Sequence, residues 1–150
     1  MSTHAHSIAA VAKALPRSTA FYPADYVFPR GKLAEVVGLG KRQPVVAVAC
    51  GSYSPVTNLH LRMFEMARDY ISDHPNLHLI GGYFSPVSDA YNKPGLVSWP
   101  HRVAMCEEAT KDSDWIMVDS WESRQKEYQR TAWVLDHFNE MLNGNGQAGN

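Results

Sequence analysis

The fold is decided at residues 45–60, which read Val-Val-Ala-Val-Ala-Cys-Gly-Ser-Tyr-Ser-Pro-Val-Thr-Asn-Leu-His. Six consecutive apolar residues, Val45–Cys50, are typical of a strand buried on both faces of a parallel sheet. Gly51–Pro55 ends the strand, and Thr57 can cap a helix that we expect to run to about Ser72. The apolar side of this helix is predicted to comprise Leu59, Met63, Met66, Ala67, Tyr70 and Ile71.

The same alternation continues along the chain. Leu77–Phe84 and Trp115–Asp119 are predicted strands, and the loop Ser85–Ser98 follows the first of them. Ser98 and Pro100 mark the start of a helix that reaches about Lys111. A last helix is predicted over Arg124–Leu142, with an apolar face formed by Tyr128, Ala132, Leu135, Phe138 and Leu142. This order predicts an α/β fold, a Rossmann-like parallel sheet with flanking helices.

The order of predicted strands and helices divides the chain into three segments. Residues 1–44 are an irregular N-terminal extension with one short helix near Leu33–Val37, residues 45–142 hold the sheet, and residues 143–150 form a Gly/Asn-rich tail. Three strands are half of a doubly wound sheet, whose first strand is normally central. We therefore expect an incomplete sheet with an exposed apolar edge, which favours association with a second copy in a homo-oligomer.

The net charge, the apolar runs and the cysteine count limit which partners and which cellular compartment we expect for this protein. The chain has 150 residues, 19% of them charged, and a net charge of −1, which argues against nucleic-acid partners and against binding at membrane surfaces. No apolar run approaches the roughly 20 residues of a membrane span. Two cysteines suit a reducing compartment. Residues 1–24 faintly resemble a mitochondrial transit peptide, but we expect an intracellular protein of the cytoplasm or nucleus.

The turn after the first strand carries the chemistry. It lies at the carboxyl end of a parallel strand, where open α/β sheets bind ligands. Gly51 and Ser52 allow close approach of a phosphate, and the next helix directs its free N–H groups to the same place. Thr57 and His60 fall on one side of the first turn, where a polyphosphate would lie. Spacing alone leaves a plainer interpretation open, in which Thr57 only caps the helix and His60 packs or is solvated.

A family resemblance favours the first interpretation. The stretch Gly51–Glu65 closely resembles the signature of eukaryotic nicotinamide-nucleotide adenylyltransferases, which are nucleotidyltransferases with a His/Thr-x-x-His motif, and Thr57 takes the first position. The resemblance covers about residues 45–142 in the family's order and spacing. Its further segments are Ser85–Leu96, His101–Val103, Val118–Glu122 and Gln125–Thr131.

The resemblance implies a nucleotidyltransferase that uses ATP and Mg²⁺ in NAD biosynthesis. The phosphate of nicotinamide or nicotinate mononucleotide attacks the α-phosphorus of ATP, which yields NAD or its deamido form and pyrophosphate. His60 is implied as the catalytic residue, donating to ATP phosphate oxygens. Gly51, Ser52, Tyr53 and Thr57, together with His60, are implied to bind ATP and NAD.

The resemblance also implies residues for the mononucleotide. Lys93 matches the lysine that holds its phosphate, while Tyr91 and Thr131 match positions around the nicotinamide half. Tyr128 falls where some members have a stacking Trp and keeps an aromatic face for the pyridine ring. Without the resemblance, Lys93 is a solvated surface lysine and Tyr128 a core residue of the last helix.

Two features depart from the family. Asn92 and Pro94 replace lysines that are common beside Lys93. A Ser-x-Thr-x-x-Arg segment, which grips the ATP β- and γ-phosphates in the family, is absent from the 150 residues. We therefore expect a truncated and impaired enzyme. The alternative is a non-catalytic nucleotide-binding fragment that associates with a full-length subunit. A pantetheine-phosphate adenylyltransferase is disfavoured by the loop Ser85–Leu96 and by Trp121-Glu122.

Protein metal ligands are not predicted. The pairs His4/His6 and His74/His78 have spacings that suggest a metal, but neither has nearby Cys or acidic ligands in a zinc pattern. Solvated surface histidines are the favoured interpretation of both pairs.

Overall fold

The structure, a computed structural model, describes residues 20–144. The strands are β1 (Gln43–Gly51), β2 (Leu77–Pro86) and β3 (Ile116–Val118). The helices are α1 (Asn58–Ser72), α2 (Trp99–Thr110) and α3 (Thr131–Leu142), with a short 3-10 helix at Asp89–Tyr91. Most of the stretch that resembles a transit peptide, the pair His4/His6 and the end of the Gly/Asn-rich tail lie outside the described residues.

The three strands form one parallel sheet, as predicted, and their order is β1-β2-β3. Val48 pairs with Tyr83, and Gly82 pairs with Ile116. Within residues 20–144, β1 has one strand neighbour, and its apolar residues Val45–Cys50 are half-buried. Both faces of β1 pack on the core as expected, with Val46, Val48 and Cys50 on one cluster and Ala47 and Ala49 on the other. These residues are only half-buried because one edge of β1 has no strand against it in the described part of the chain.

The side of α1 that faces the sheet shares the half-buried Ala67 and Ile71 with the predicted side, but it is centred on Phe64. Phe64 is buried, with its ring 4.7 Å from that of Phe84 and 5.8 Å from that of Trp115. Both stripes have helical spacing, so periodicity could not decide which one faces the sheet. The residues of the predicted side that are mainly exposed are Leu59, Met63, Met66 and Tyr70.

The part of the extension that the structure describes, residues 20–42, contains no helix or strand and packs on the sheet. The Phe28 ring stacks on Tyr83 with centroids 5.2 Å apart and meets Phe138 edge-on at 5.8 Å. Ala34 N donates to Ile80 O at 2.8 Å. The short helix expected near Leu33–Val37 is absent from this described stretch, because β2 rather than a helical turn takes the Ala34 N–H.

The last helix begins at Thr131, so the predicted start at Arg124 is wrong. Gln125 explains the delay: its Nε2 donates to Phe21 O at 2.7 Å and its Oε1 accepts from Phe21 N at 2.9 Å. These contacts hold the segment before α3 against the extension. Tyr128 therefore lies outside the helix and is exposed. The residues that α3 buries are Val134, His137 and Phe138, whereas Leu135 is exposed.

A buried polar cluster joins the extension, the end of β3 and α3. Nε2 of His137 lies 2.8 Å from Asp119 Oδ2, and Tyr26 Oη donates to Asp119 Oδ1 at 2.7 Å. The Trp121 ring stacks on the imidazole with centroids 4.1 Å apart. The hydrogen bonds to both carboxyl oxygens of Asp119 offset the free-energy cost of burying this side chain.

None of the helices in the described range 20–144 is both long and apolar enough to cross a bilayer.

Candidate functional site

The β1–α1 turn, Gly51–Thr57, lies at the carboxyl end of β1. Tyr53 adopts φ 50° and turns its side chain back beneath the strand, where its hydroxyl donates to Ala49 O at 2.7 Å. A Cβ on Gly51 would stand 2.9 Å from Tyr53 Cζ, so the ring requires glycine there. Because the Tyr53 side chain is buried, only its backbone is available to a ligand. Burial also raises the pKa of the Tyr53 hydroxyl well above its usual range.

His60 is held in one orientation at the start of α1. Its Nδ1 lies 2.8 Å from Thr57 N and 3.0 Å from Thr57 Oγ1. A backbone N–H can only donate, so Nδ1 is the acceptor and the ring proton of the neutral form resides on Nε2. The ring rests edge-on against Tyr53 at 5.0 Å and stays partly exposed. The predicted convergence of Thr57 and His60 takes this form, and Nε2–H is a donor with no hydrogen-bond partner among residues 20–144.

The loop between β2 and α2 carries the other predicted residues. Ser88 starts the 3-10 helix Asp89–Tyr91, and Asn92 ends it in the left-handed region with φ 52°. Lys93 follows on the exposed surface and has no ion-pair partner among residues 20–144. Its ammonium group is therefore available to an anion.

Tyr91 and Tyr128 come together although they belong to separate loops. Their ring centroids are 5.5 Å apart with an interplanar angle of 27°, and both side chains are nearly half exposed. This placement replaces the interpretation of Tyr128 as a core residue. Thr131, exposed in the first turn of α3, lies three residues beyond Tyr128.

Arg102 is part of the site region but was not predicted as a functional residue. It is 0% exposed. Its Nε donates to Val97 O at 2.6 Å, and one terminal nitrogen donates to Ser52 O at 2.9 Å. The other terminal nitrogen donates to Val87 O at 2.6 Å and to Asp89 Oδ1 at 2.8 Å. Two sequence signals could have found it: it lies in the segment His101–Val103 of the family resemblance, and it is a cation in the first turn of α2, where the helix dipole disfavours positive charge.

Glu122 is a buried carboxyl group beneath the carboxyl ends of β1 and β2. Ser85 Oγ lies 2.5 Å from its Oε2. Burial raises the pKa of Glu122 to about 7, an effect that the Ser85 hydrogen bond opposes. Burial also raises the pKa of the Cys50 thiol to about 12, which keeps it protonated and unreactive at neutral pH.

The two histidines of the pair 74/78 have separate hydrogen-bond partners. His74 Nδ1 lies 2.9 Å from Tyr70 O, and His78 Nδ1 lies 3.3 Å from an Arg42 terminal nitrogen. Within residues 20–144, no three His, Cys, Asp or Glu side chains gather as a metal site would require.

A cavity of about 640 Å³ lies at the opposite end of the sheet, and its lining includes Leu33, Arg68, His78 and Trp115. None of the residues of the β1–α1 turn lines it. Ligands of open parallel sheets bind beyond the carboxyl ends of the strands, so we locate the candidate site at the turn.

Comparison with known proteins identifies the family of the chain. Residues 48–141 match the family described as cytidylyltransferase-like. The chain is 56% identical over 120 residues to nicotinamide/nicotinic acid mononucleotide adenylyltransferase 1 of Saccharomyces cerevisiae, covering 79% of this chain and 30% of the relative. It is 52% identical to the Schizosaccharomyces pombe enzyme of that name (79% and 33%) and 46% identical to that of Arabidopsis thaliana (81% and 50%).

The chain thus spans about a third of the length of the two fungal relatives and half that of the plant relative. The family match covers the β1–α1 turn from its first residue through α3 almost to its end. This chain belongs to the cytidylyltransferase-like family.

Proposed function

We propose that this chain forms the nucleotide-binding part of a nicotinamide/nicotinic acid mononucleotide adenylyltransferase. In the reaction, a phosphate oxygen of the mononucleotide forms a bond to the α-phosphorus of ATP. The bond from that phosphorus to the bridging oxygen breaks, and pyrophosphate leaves with the electron pair. Two anions must meet, so catalysis consists mainly of orientation and charge stabilisation.

The ATP side of the site is assigned to the β1–α1 turn. Gly51 and Ser52 offer backbone groups at the start of α1, and Thr57 holds the His60 ring through its backbone N–H. His60 Nε2–H then donates to a phosphate oxygen as negative charge moves toward the leaving pyrophosphate. The fixed tautomer is the single observation that carries the proposal, because it makes the imidazole a donor without a conformational change.

The mononucleotide side is assigned to the two loops beyond β2 and β3. Lys93 binds the phosphate, since its ammonium has no ion-pair partner in the described part of the chain. Tyr91 and Tyr128 offer an aromatic surface to the pyridine ring, and Thr131 lies nearby at the start of α3. Their exposure supports a role in binding rather than in the core.

Mg²⁺ is proposed to enter with ATP. The ion prefers octahedral oxygen ligands and commonly binds through substrate phosphates and waters rather than through an all-protein cage. Residues 20–144 gather no cluster of acidic side chains, which suits this mode of binding. When bound, the ion would neutralise charge on the phosphates.

The experiment is an assay of NAD formation by the 150-residue chain with ATP, Mg²⁺ and either mononucleotide. We expect little or no turnover, because the Ser-x-Thr-x-x-Arg segment implied to grip the β- and γ-phosphates is not in this sequence. Losing even one such donor typically costs about 10²-fold or more in rate. We expect calorimetry to show binding of ATP and of the mononucleotide. A chain that binds neither ligand would contradict the proposal.

A second candidate, a nucleotide-binding fragment that acts with a full-length subunit, shares these binding residues. The half-buried apolar residues of β1 favour it, since they offer an edge to another chain. Light scattering with and without a full-length relative separates the candidates. A mixed complex supports the second, and a homo-oligomer of this chain alone supports self-association instead.

We also infer that the protein is located in the cytoplasm or the nucleus. Within the described residues, Cys50 and Cys106 are both free thiols, which suits a reducing compartment. Microscopy of the tagged full chain tests this inference, and mitochondrial fluorescence would contradict it.

A further inference from the structure

We propose that Arg102 is a positioning residue that holds the mononucleotide loop, defined as Val87–Val97, in register with the β1–α1 turn. The proposal rests on the proposed function, because it assigns the two binding regions to these segments. It adds that their relative placement is set by one guanidinium group, which contacts neither substrate.

The contacts of Arg102 have an unusual distribution. Its acceptors are the carbonyls of Val87 and Val97, at the two ends of the loop, and the carbonyl of Ser52 in the β1–α1 turn. Asp89, inside the loop, accepts as well. The guanidinium group of Arg102 therefore links the two ends of the loop to each other and to the β1–α1 turn.

Two further hydrogen bonds join the mononucleotide loop directly to the β1–α1 turn. Val87 N donates to Gly51 O at 2.9 Å, and Val97 N donates to Ser54 Oγ at 3.0 Å. These connections join an end of the loop, or Asp89, to the turn or to Arg102, while Ser88 Oγ separately donates to Gln125 O at 2.7 Å. Lys93 lies between these ends on an exposed stretch, so its position depends on them.

Stability of α2 does not explain the arginine. A cation in the first turn of a helix opposes the helix dipole, and a fully buried charge is costly unless it is well partnered. Here its one carboxylate partner, Asp89, has 46% of its side chain exposed, and the other acceptors are backbone carbonyls. A fork of several fixed donors suits this geometry, and a lysine ammonium on a flexible stem cannot reproduce it.

Arg102→Lys tests the proposal because it retains the charge and removes the fork. We expect a rise of about tenfold or more in the mononucleotide Kd, as for lost hydrogen bonds to a charged group. We also expect faster hydrogen exchange at the amides of residues 87–97, with exchange in the middle of β2 unchanged. Arg68→Lys, at an exposed arginine on α1, is the matched control and should change neither quantity.

Asp89→Ala is the second variant, in case the lysine does not fold. It removes the one side-chain acceptor of Arg102 and leaves the three carbonyl bonds in place. We expect faster exchange in the loop and a smaller rise in Kd. Normal loop exchange in this variant and in any folded lysine variant would overturn the positioning role. If the unsubstituted chain binds no mononucleotide, the proposed function fails, while the exchange comparison still decides whether Arg102 fixes the loop.

Discussion

The N-terminal extension and the mononucleotide loop are both largely irregular, yet they are held in opposite ways. The described extension, residues 20–42, inserts side chains such as Tyr26 and Phe28 into the core. The loop keeps most of its side chains exposed and is held by its backbone carbonyls through Arg102. A segment held by its side chains contributes mainly to folding, whereas one held by its backbone leaves its side chains free for ligands.

The largest expected effect is a loss of folding stability when a buried side chain of the extension is removed. Phe28→Ala should lower the free energy of unfolding by about 3–5 kcal/mol, because it leaves a cavity against Tyr83 and Phe138. Chemical denaturation measures the change. The mononucleotide Kd should be unaltered wherever the variant remains folded.

Val27→Ala provides the control for that prediction. Val27 is the preceding residue and 82% exposed, so its change should stay within about 0.5 kcal/mol. Equal losses from both variants would show that the extension does not pack as described.

A second prediction concerns the buried carboxyl group beneath the site. The pKa of Glu122 is raised from 4.5 to about 7 by burial, so the folded state binds the proton more tightly than the unfolded state does. Its contribution to stability is therefore fully present below about pH 4.5 and is lost as the pH rises to about 7. Glu122→Gln should abolish this loss, which amounts to about 3 kcal/mol.

The measurement compares the free energies of unfolding of the two proteins across that pH range. The stability of the variant relative to the original chain should rise with pH and become constant above neutrality. Glu127→Gln, at an exposed position, is the control and should give a flat difference. A flat difference for Glu122→Gln would contradict the raised pKa.

A third prediction tests the loop through its exposed lysine. Lys93→Ala should raise the mononucleotide Kd about tenfold, equivalent to about 1.4 kcal/mol, and leave stability nearly unchanged. Calorimetry and denaturation measure the two quantities. Lys111→Ala, at the far end of α2, should affect neither strongly. An unaltered Kd in Lys93→Ala would remove the lysine from the site.

The smallest effect is expected at the aromatic pair. Tyr128→Ala should weaken mononucleotide binding by several-fold, because stacking with an aromatic ring contributes about 0.5–1.5 kcal/mol. Tyr128→Trp retains the aromatic face and should bind at least as well as the original chain. If alanine and tryptophan give the same Kd, the pyridine ring does not stack there.

Local patterns predicted the part of the molecule in which neighbours in sequence are neighbours in space. The apolar run at Val45–Cys50 and the breakers after it located β1 and the start of α1 within about two residues. Thr57 and His60 lie three apart on a helix start, so their meeting could also be predicted. The alternation of strands and helices also predicted that the sheet is parallel.

Contacts between distant segments could not be predicted in this way. Gln125 delays α3 by bonding to Phe21, which is 104 residues away. Arg102 and Ser52 are 50 residues apart, and nothing periodic links them. Helix α1 has two apolar stripes, and the packing of Phe64 on Phe84 decides which one faces the sheet. In each case the deciding partner lies outside any local window of sequence.

Nitrogen NMR of the histidine rings at alkaline pH measures whether His60 can present Nε2–H to a phosphate. We predict a protonated Nε2 and a bare Nδ1 for His60, and the reverse for His74, whose Nδ1 donates to Tyr70 O. Addition of ATP should shift the His60 Nε2 resonance and leave that of His74 in place. A His60 ring protonated on Nδ1, or one that ATP does not affect, would rule out His60 as the donor to phosphate.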